Sequence, residues 1–122
     1  MDAGLVYNTF PYMGDGIIPI EYGNLGFIDP FENPVTAQFH HRLLASITLI
    51  IIIIYSIHYI ISNPKNLRIL LLLFAIICQF IIGIFTLLYS VPITLGAMHQ
   101  FVGVLLFLSA LWVLHSPKKN TF

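Results

Sequence analysis

Charged side chains are scarce in this sequence of 122 residues, since Asp, Glu, Lys and Arg make up only 8% of it. A typical soluble domain contains about 25%. So few charges cannot cover a folded surface in water, which argues against a water-soluble globular protein. Five basic residues balance five acidic ones, which excludes a nucleic-acid-binding protein. A single cysteine, Cys78, excludes a disulfide scaffold.

Apolar residues are abundant instead. They form 58% of the chain, and the mean hydropathy is +0.92. Intrinsic disorder requires low hydrophobicity, so a disordered chain is excluded as well. The composition therefore indicates a small integral membrane protein, or part of one, whose environment is the lipid bilayer.

Three segments are long enough to cross a bilayer, which takes about 20 apolar residues. Residues 43–61, 69–91 and 93–114 contain no charged side chain. Backbone polar groups in lipid must be satisfied within the segment, so each segment should be a helix. We expect an all-α membrane fold of three antiparallel helices. The predicted parts are an extracytoplasmic loop (1–35), transmembrane helices (36–61, 69–91 and 92–115), an inner loop (62–68) and an inner tail (116–122).

The distribution of charge predicts the orientation in the membrane. All five acidic residues precede the first predicted helix, and four of the five basic residues lie in the first connection or the tail. Basic connections stay on the cytoplasmic or matrix side. The N-terminus is therefore predicted outside and the C-terminus inside, in a bacterial cytoplasmic membrane or a mitochondrial inner membrane. The basic residues concerned are Lys65, Arg68, Lys118 and Lys119.

A short motif occurs twice. Residues 34–42 and 92–100 share a proline, a β-branched aliphatic residue, a threonine and a histidine at matching places. The histidines, His41 and His99, each follow their proline by seven residues, or roughly 10 Å along a helix. The first and third helices run in the same direction, so both histidines should lie at one depth near the outer face.

Two imidazoles at one depth can bind a six-coordinate haem iron from opposite sides. On the face of His99, Gly96 and Gly103 would let a flat ring approach the helix, although small residues also serve plain helix packing. An intramembrane histidine can instead form a hydrogen bond between helices. His58 and His115, near the inner ends of the same helices, form a rival pair.

Other polar residues in the predicted helices need partners too. Arg42 is the one basic residue on the outer side. Its partner could be a haem propionate, a loop acid such as Asp29 or Glu32, or lipid headgroups reached by snorkelling. His40 points away from His41 and is interpreted as an interfacial polar residue.

The middle helix carries polar or small residues on one face. Gln79, Gly83 and Thr86 follow the spacing i, i+4, i+7, which favours hydrogen bonding between helices. Cys78 has no partner thiol and is interpreted as inert.

A set of motifs spread over almost the whole chain carries a family resemblance. They are residues 2–11, Met13-Gly14, residues 31–34, Gln38-Phe39, His41-Arg42, Gly83-Ile84, residues 86–88, Val91-Pro92, His99-Gln100 and residues 110–112. In this order they resemble the C-terminal half of the heme A synthase family, membrane enzymes that make haem A for cytochrome oxidase.

The resemblance implies an eight-helix bundle of two similar four-helix halves, of which this chain carries three helices. It implies haem b (iron protoporphyrin IX) bound by both histidines, at the positions of His41 and His99, with no catalytic residue in this part. The partner would be an N-terminal four-helix half, as a separate chain or an omitted segment. That half would bind haem O and oxidise its C8 methyl group to a formyl group, and this chain would be inactive without it.

The residues are also compatible with two other functions. One is a b-type membrane cytochrome subunit that transfers electrons without substrate chemistry. The other is a haem-free structural membrane subunit.

Overall fold

The computed structural model describes residues 3–115 and contains, in this range, helices but no β-strand. Three helices are long and apolar enough to cross a membrane, as predicted. We label a short helix α1 (Asp29–Glu32) and the three long helices α2 (Pro34–Ser62), α3 (Leu67–Leu88) and α4 (Ile93–Leu114). Residues 3–33, called the loop segment below, precede α2 and include two 3₁₀ turns, Ala3–Leu5 and Gly26–Ile28.

The bounds of the helices differ from the predicted ranges by a few residues because capping groups set them. Helix α2 begins at Pro34 rather than 36, since the side chain of Asn33 accepts a hydrogen bond from Val35 N at 3.0 Å. Helix α3 begins at Leu67 rather than 69, since Asn66 accepts hydrogen bonds from Arg68 N and Ile69 N. The predicted tail 116–122, with Lys118 and Lys119, lies outside the described residues.

Helix α3 ends at Leu88, three residues before the predicted end at 91. Ser90 and Val91 both have positive φ angles, 58° and 53°, which are incompatible with a continuing right-handed helix. Val91 N instead donates to Thr86 O at 2.8 Å, closing the end of α3. The reversal is tight, so α4 returns directly alongside α3.

Helix α3 lies between α2 and α4 and packs against both. Its side chains Ile69, Leu72 and Ile76 are buried, whereas no described side chain of α4 is fully buried. Most of the apolar surface of the long helices is therefore exposed, as expected for helices that face lipid. The chain is an integral membrane protein.

Asp29 organises the second half of the loop segment. This side chain is 1% exposed and accepts hydrogen bonds from Gly23 N at 3.0 Å, Leu25 N at 2.9 Å and Asn33 Nδ2 at 3.0 Å. Thr36 Oγ1 donates a further hydrogen bond to it. The carboxylate thus joins two turns of the loop segment to the first turn of α2.

The stability of this half of the loop segment should depend on pH. Burial raises the pKa of Asp29, but the hydrogen bonds from Thr36, Asn33, Leu25 N and Gly23 N outweigh it and lower the pKa from 3.8 to about 2. A carboxyl group with a lowered pKa contributes stability above its ordinary pKa, and this contribution is lost as the pH falls towards the folded value.

We therefore expect the amides of residues 20–33 to lose protection from hydrogen exchange, relative to the amides of α3, between about pH 4 and pH 2. Hydrogen exchange corrected for the intrinsic rate at each pH measures this. Asp29→Asn should be less protected at neutral pH and should lose the pH dependence. Asp15→Asn, a change of the same kind at an exposed site, is the control and should behave as the unchanged chain.

Candidate cofactor site

A cavity of about 510 Å³ opens between the three long helices on the side of the loop segment. This volume is in the range of small-molecule and cofactor pockets. Apolar side chains form most of the wall, and each long helix contributes polar side chains to it. These are Gln38, His41, Arg42 and Thr48 from α2, Gln79 and Thr86 from α3, and His99 from α4. Phe10 of the loop segment also lines the cavity and packs edge-on against Phe80 of α3.

His41 and His99 face each other across this cavity. Their ring centroids are 6.3 Å apart, and the ring planes are inclined by 73°. An imidazole nitrogen lies about 2 Å from a bound metal, so two rings on opposite sides of one iron have centroids about 6 Å apart. The observed separation of 6.3 Å matches this distance.

The His99 ring lies in a narrow slot between α3 and α4. Its Nε2 atom is 3.3 Å from Gln79 Nε2, and its Nδ1 atom is buried with no hydrogen-bond partner in the described structure. A Cβ atom added to Gly83 would lie only 2.9 Å from His99 Cε1. The imidazole can therefore occupy this position only because Gly83 has no side chain.

The glycines expected to admit a flat ring have other neighbours. A Cβ atom on Gly96 would be 3.9 Å from Val91 Cγ1, and one on Gly103 would be 3.2 Å from Gln79 Nε2. Neither residue is among those that line the cavity, whereas Gly83 is. The sequence predicts only hydrogen bonding between helices for the face that carries Gly83. It does not predict the contact of Gly83 with His99, because that contact depends on how α3 and α4 are paired. The position of Gly83 four residues after Gln79, on the same face, was the available signal.

The expected partners of Arg42 were also incomplete. Its Nη2 atom donates to Tyr7 O at 2.7 Å, and its Nη1 atom donates to Thr9 O at 2.8 Å. In the described part of the chain, the hydrogen bonds of Arg42 thus go to loop carbonyl oxygens rather than to the carboxylates of Asp29 or Glu32. Asp29 is enclosed by its own donors.

Gln38 strengthens the same attachment one helical turn earlier. It exchanges two hydrogen bonds with the backbone of Tyr7, from Tyr7 N to Gln38 Oε1 and from Gln38 Nε2 to Tyr7 O. Residues four apart share a helix face, so Gln38 and Arg42 together hold the start of the loop segment against α2. This contact places Phe10 at the cavity.

The remaining histidines lie elsewhere. His40 Nε2 is 3.2 Å from the hydroxyl of Tyr22 in the loop segment. His58 and His115 are exposed, and His115 Nδ1 contacts Leu111 O at 3.0 Å. None of the three lines the cavity, so the rival pair is not brought together there.

The chain matches one family model over residues 1–111, described as cytochrome oxidase assembly protein, COX15-CtaA. The chain belongs to this family. Among curated relatives named heme A synthase, those of Rickettsia bellii (strain OSU 85-389) and Wolbachia pipientis wMel are 42% and 36% identical to it. Both matches cover 99% of this chain, and they cover 37% and 34% of the relatives, respectively. The chain thus spans about a third of the length of these relatives. No solved structure matches it.

The site of this COX15-CtaA member suits haem better than a bare metal ion. Within residues 3–115, no group of three or more His, Cys, Asp or Glu side chains could hold a metal ion. A haem iron takes its equatorial ligands from the porphyrin and needs the protein only for axial ligands. Two opposed imidazoles and a largely apolar cavity fit that group.

The stability of two glycine variants should show whether Gly83 makes room for the His99 ring or serves only ordinary helix packing. In Gly83→Ala, the added methyl group would overlap the imidazole, and overpacking of this kind costs about 1–3 kcal/mol. In Gly96→Ala, the methyl group meets only an ordinary contact, and the helix gains up to about 1 kcal/mol. Thermal unfolding in detergent micelles should show a lower Tm for Gly83→Ala and an equal or higher Tm for Gly96→Ala. Equal Tm values for the two variants would contradict the inference that Gly83 makes room for the imidazole of His99.

Proposed function

We propose that this chain is the haem b-binding, C-terminal part of a heme A synthase. It would support the oxidation of the C8 methyl group of haem O to a formyl group, which makes haem A. The relatives named heme A synthase support a role in haem A biosynthesis or oxidase assembly. The names of these relatives imply a family of oxidoreductases whose chemistry involves haem.

The observation that carries the haem proposal is the pair of facing imidazoles, with centroids 6.3 Å apart in a cavity of about 510 Å³. His41 and His99 would hold the iron from opposite sides. When bound, the haem supplies one-electron redox chemistry. Because both axial positions would be filled, this site suits electron transfer rather than reaction at the iron.

The other residues of the site would hold and enclose the haem. Apolar side chains such as Ile76, Phe80 and Leu106 line the cavity and limit the access of water to it. Arg42 and Gln38 attach the loop segment beside the cavity. The Nε atom of Arg42 is buried and has no partner among the described residues, so a haem propionate stays a proposed partner for it.

The substrate chemistry would take place in the rest of the protein. We propose an N-terminal four-helix half, which binds haem O and completes an eight-helix bundle with a second half containing the three helices of this chain. We further propose that the loop segment is extracytoplasmic and that the C-terminus is on the inner side. The charge distribution supports this orientation.

A b-type cytochrome subunit without substrate chemistry is the second candidate. The closed, two-histidine site favours it as much as it favours the first. Supplying the N-terminal half of a relative distinguishes the two, because haem A forms only if the chain belongs to a heme A synthase.

Replacing either histidine should strongly reduce the haem content of the chain. His41→Ala and His99→Ala should each lower the haem content of the purified chain at least about tenfold, since even changes beyond the first ligand shell cost about 10- to 100-fold in metal affinity. The reduced-minus-oxidised absorption spectrum measures this. His58→Ala, a change of an exposed histidine, is the control and should keep the signal. An unchanged b-type spectrum in His99→Ala would reject the ligation.

A further inference from the structure

Gln79 is the polar side chain that α3 places against the His99 ring. Its Nε2 atom lies 3.3 Å from His99 Nε2, and both residues line the cavity between the helices. The surrounding wall is mostly apolar. A glutamine at this depth is costly unless its amide has partners, because no bulk water is present to satisfy it.

A histidine that binds iron through one ring nitrogen keeps a proton on the other. That N–H group is a donor inside the membrane and needs an acceptor. Such acceptors orient the ring and increase its basicity as a ligand. His99 therefore needs an acceptor among the residues that surround its ring.

Gln79 offers the unused acceptor. Its Oε1 atom is buried and has no hydrogen-bond partner in the described structure. The Gln79 amide contacts Nε2 of the His99 ring, so Nε2 would carry the proton. The other ring nitrogen, Nδ1, also has no hydrogen-bond partner in the described structure and would bind the iron. Thr86, the next polar residue on the same face of α3, is already engaged, because its hydroxyl donates to Ile82 O at 2.7 Å and contacts Leu95 O at 3.3 Å. Rotation of the Gln79 amide by half a turn exchanges its nitrogen and oxygen, so the oxygen can take the place of the nitrogen beside the ring.

Two glycines give both side chains their room. Gly83 lies under the imidazole, and Gly103 lies under the amide, where a Cβ atom would be 3.2 Å from Gln79 Nε2. Each glycine therefore belongs to the helix opposite the side chain that it accommodates. This close packing of α3 and α4 brings the Gln79 amide and the His99 ring into contact.

We propose that Gln79 is a positioning residue for His99, whose amide oxygen accepts the N–H hydrogen bond of the iron-bound imidazole and lowers the reduction potential of the haem. The inference rests on the proposed function, since it requires the haem. Its physical basis is that an accepted hydrogen bond makes the imidazole a stronger electron donor, which stabilises ferric over ferrous iron.

The test is a redox titration of the haem-loaded full chain, followed at its visible absorption band. Gln79→Met keeps the length of the side chain but removes the amide oxygen. It should preserve a low-spin, two-histidine spectrum while it raises the potential by about 59 mV, which corresponds to a tenfold change in a one-electron equilibrium constant. Gln79→Glu keeps an acceptor oxygen and should have a potential equal to or below that of the unchanged chain.

Gln100→Met is the matched control, since Gln100 adjoins His99 in the chain but is exposed. It should leave the potential unchanged. If Gln79→Met also leaves the potential unchanged, or shifts it no more than Gln100→Met does, the inference is wrong while the haem site stands. If Gln79→Met fails to accumulate, a potential of Gln79→Glu above that of the unchanged chain overturns the inference.

A different result would remove the proposed function as well. If the unchanged chain loaded with iron protoporphyrin IX shows no low-spin spectrum, or if His99→Ala retains it, then His99 is not the ligand. Gln79 then has no role in setting a potential. The spectrum therefore tests the haem site, and the potential tests Gln79.

Discussion

Polar groups inside a membrane must find partners within the protein, and this requirement shapes the site. Helices α2, α3 and α4 satisfy their own backbones, which leaves a small number of polar side chains to be accounted for. Those of Gln79 and His99 meet between α3 and α4. Arg42 instead donates hydrogen bonds to carbonyl oxygens of the loop segment. The same requirement thus holds the helices together and attaches the loop segment to them.

The helices and the facing histidines could be predicted from the sequence because both depend on local rules. Uncharged runs of sufficient length become helices that are long and apolar enough to cross a membrane. A repeated proline-to-histidine spacing puts two histidines at matching positions of α2 and α4. The roles of Gly83 and Arg42 could not be predicted in this way. They depend on which face of α3 meets α4 and on where the loop segment returns, and contacts between residues as distant in sequence as Arg42 and Tyr7 leave no periodic signal.

The loop segment shows how a polar connection can be ordered without a large core. Asp29 collects donors from two turns and from the first turn of α2, while Asn33 caps α2 and also donates to Glu21 O at 2.9 Å. Gly23 and Gly26 adopt positive φ angles of 79° and 64°, which lets the chain fold back towards the carboxylate. The loop segment therefore has its own hydrogen-bonded framework, in addition to its attachment to Gln38 and Arg42.

Buried polar atoms without hydrogen-bond partners are concentrated around the cavity. Among the described residues, five buried side-chain atoms have no hydrogen-bond partner, and three of them belong to residues that line the cavity: Arg42 Nε, Gln79 Oε1 and His99 Nδ1. Unpaired buried polar atoms are rare in proteins, and each one calls for an explanation. Their concentration around one cavity is what a binding site needs, because a ligand with an electron-accepting centre and acidic edges would use both the histidine and the arginine. An iron porphyrin has both features, whereas a purely apolar lipid chain would leave all three atoms unpaired.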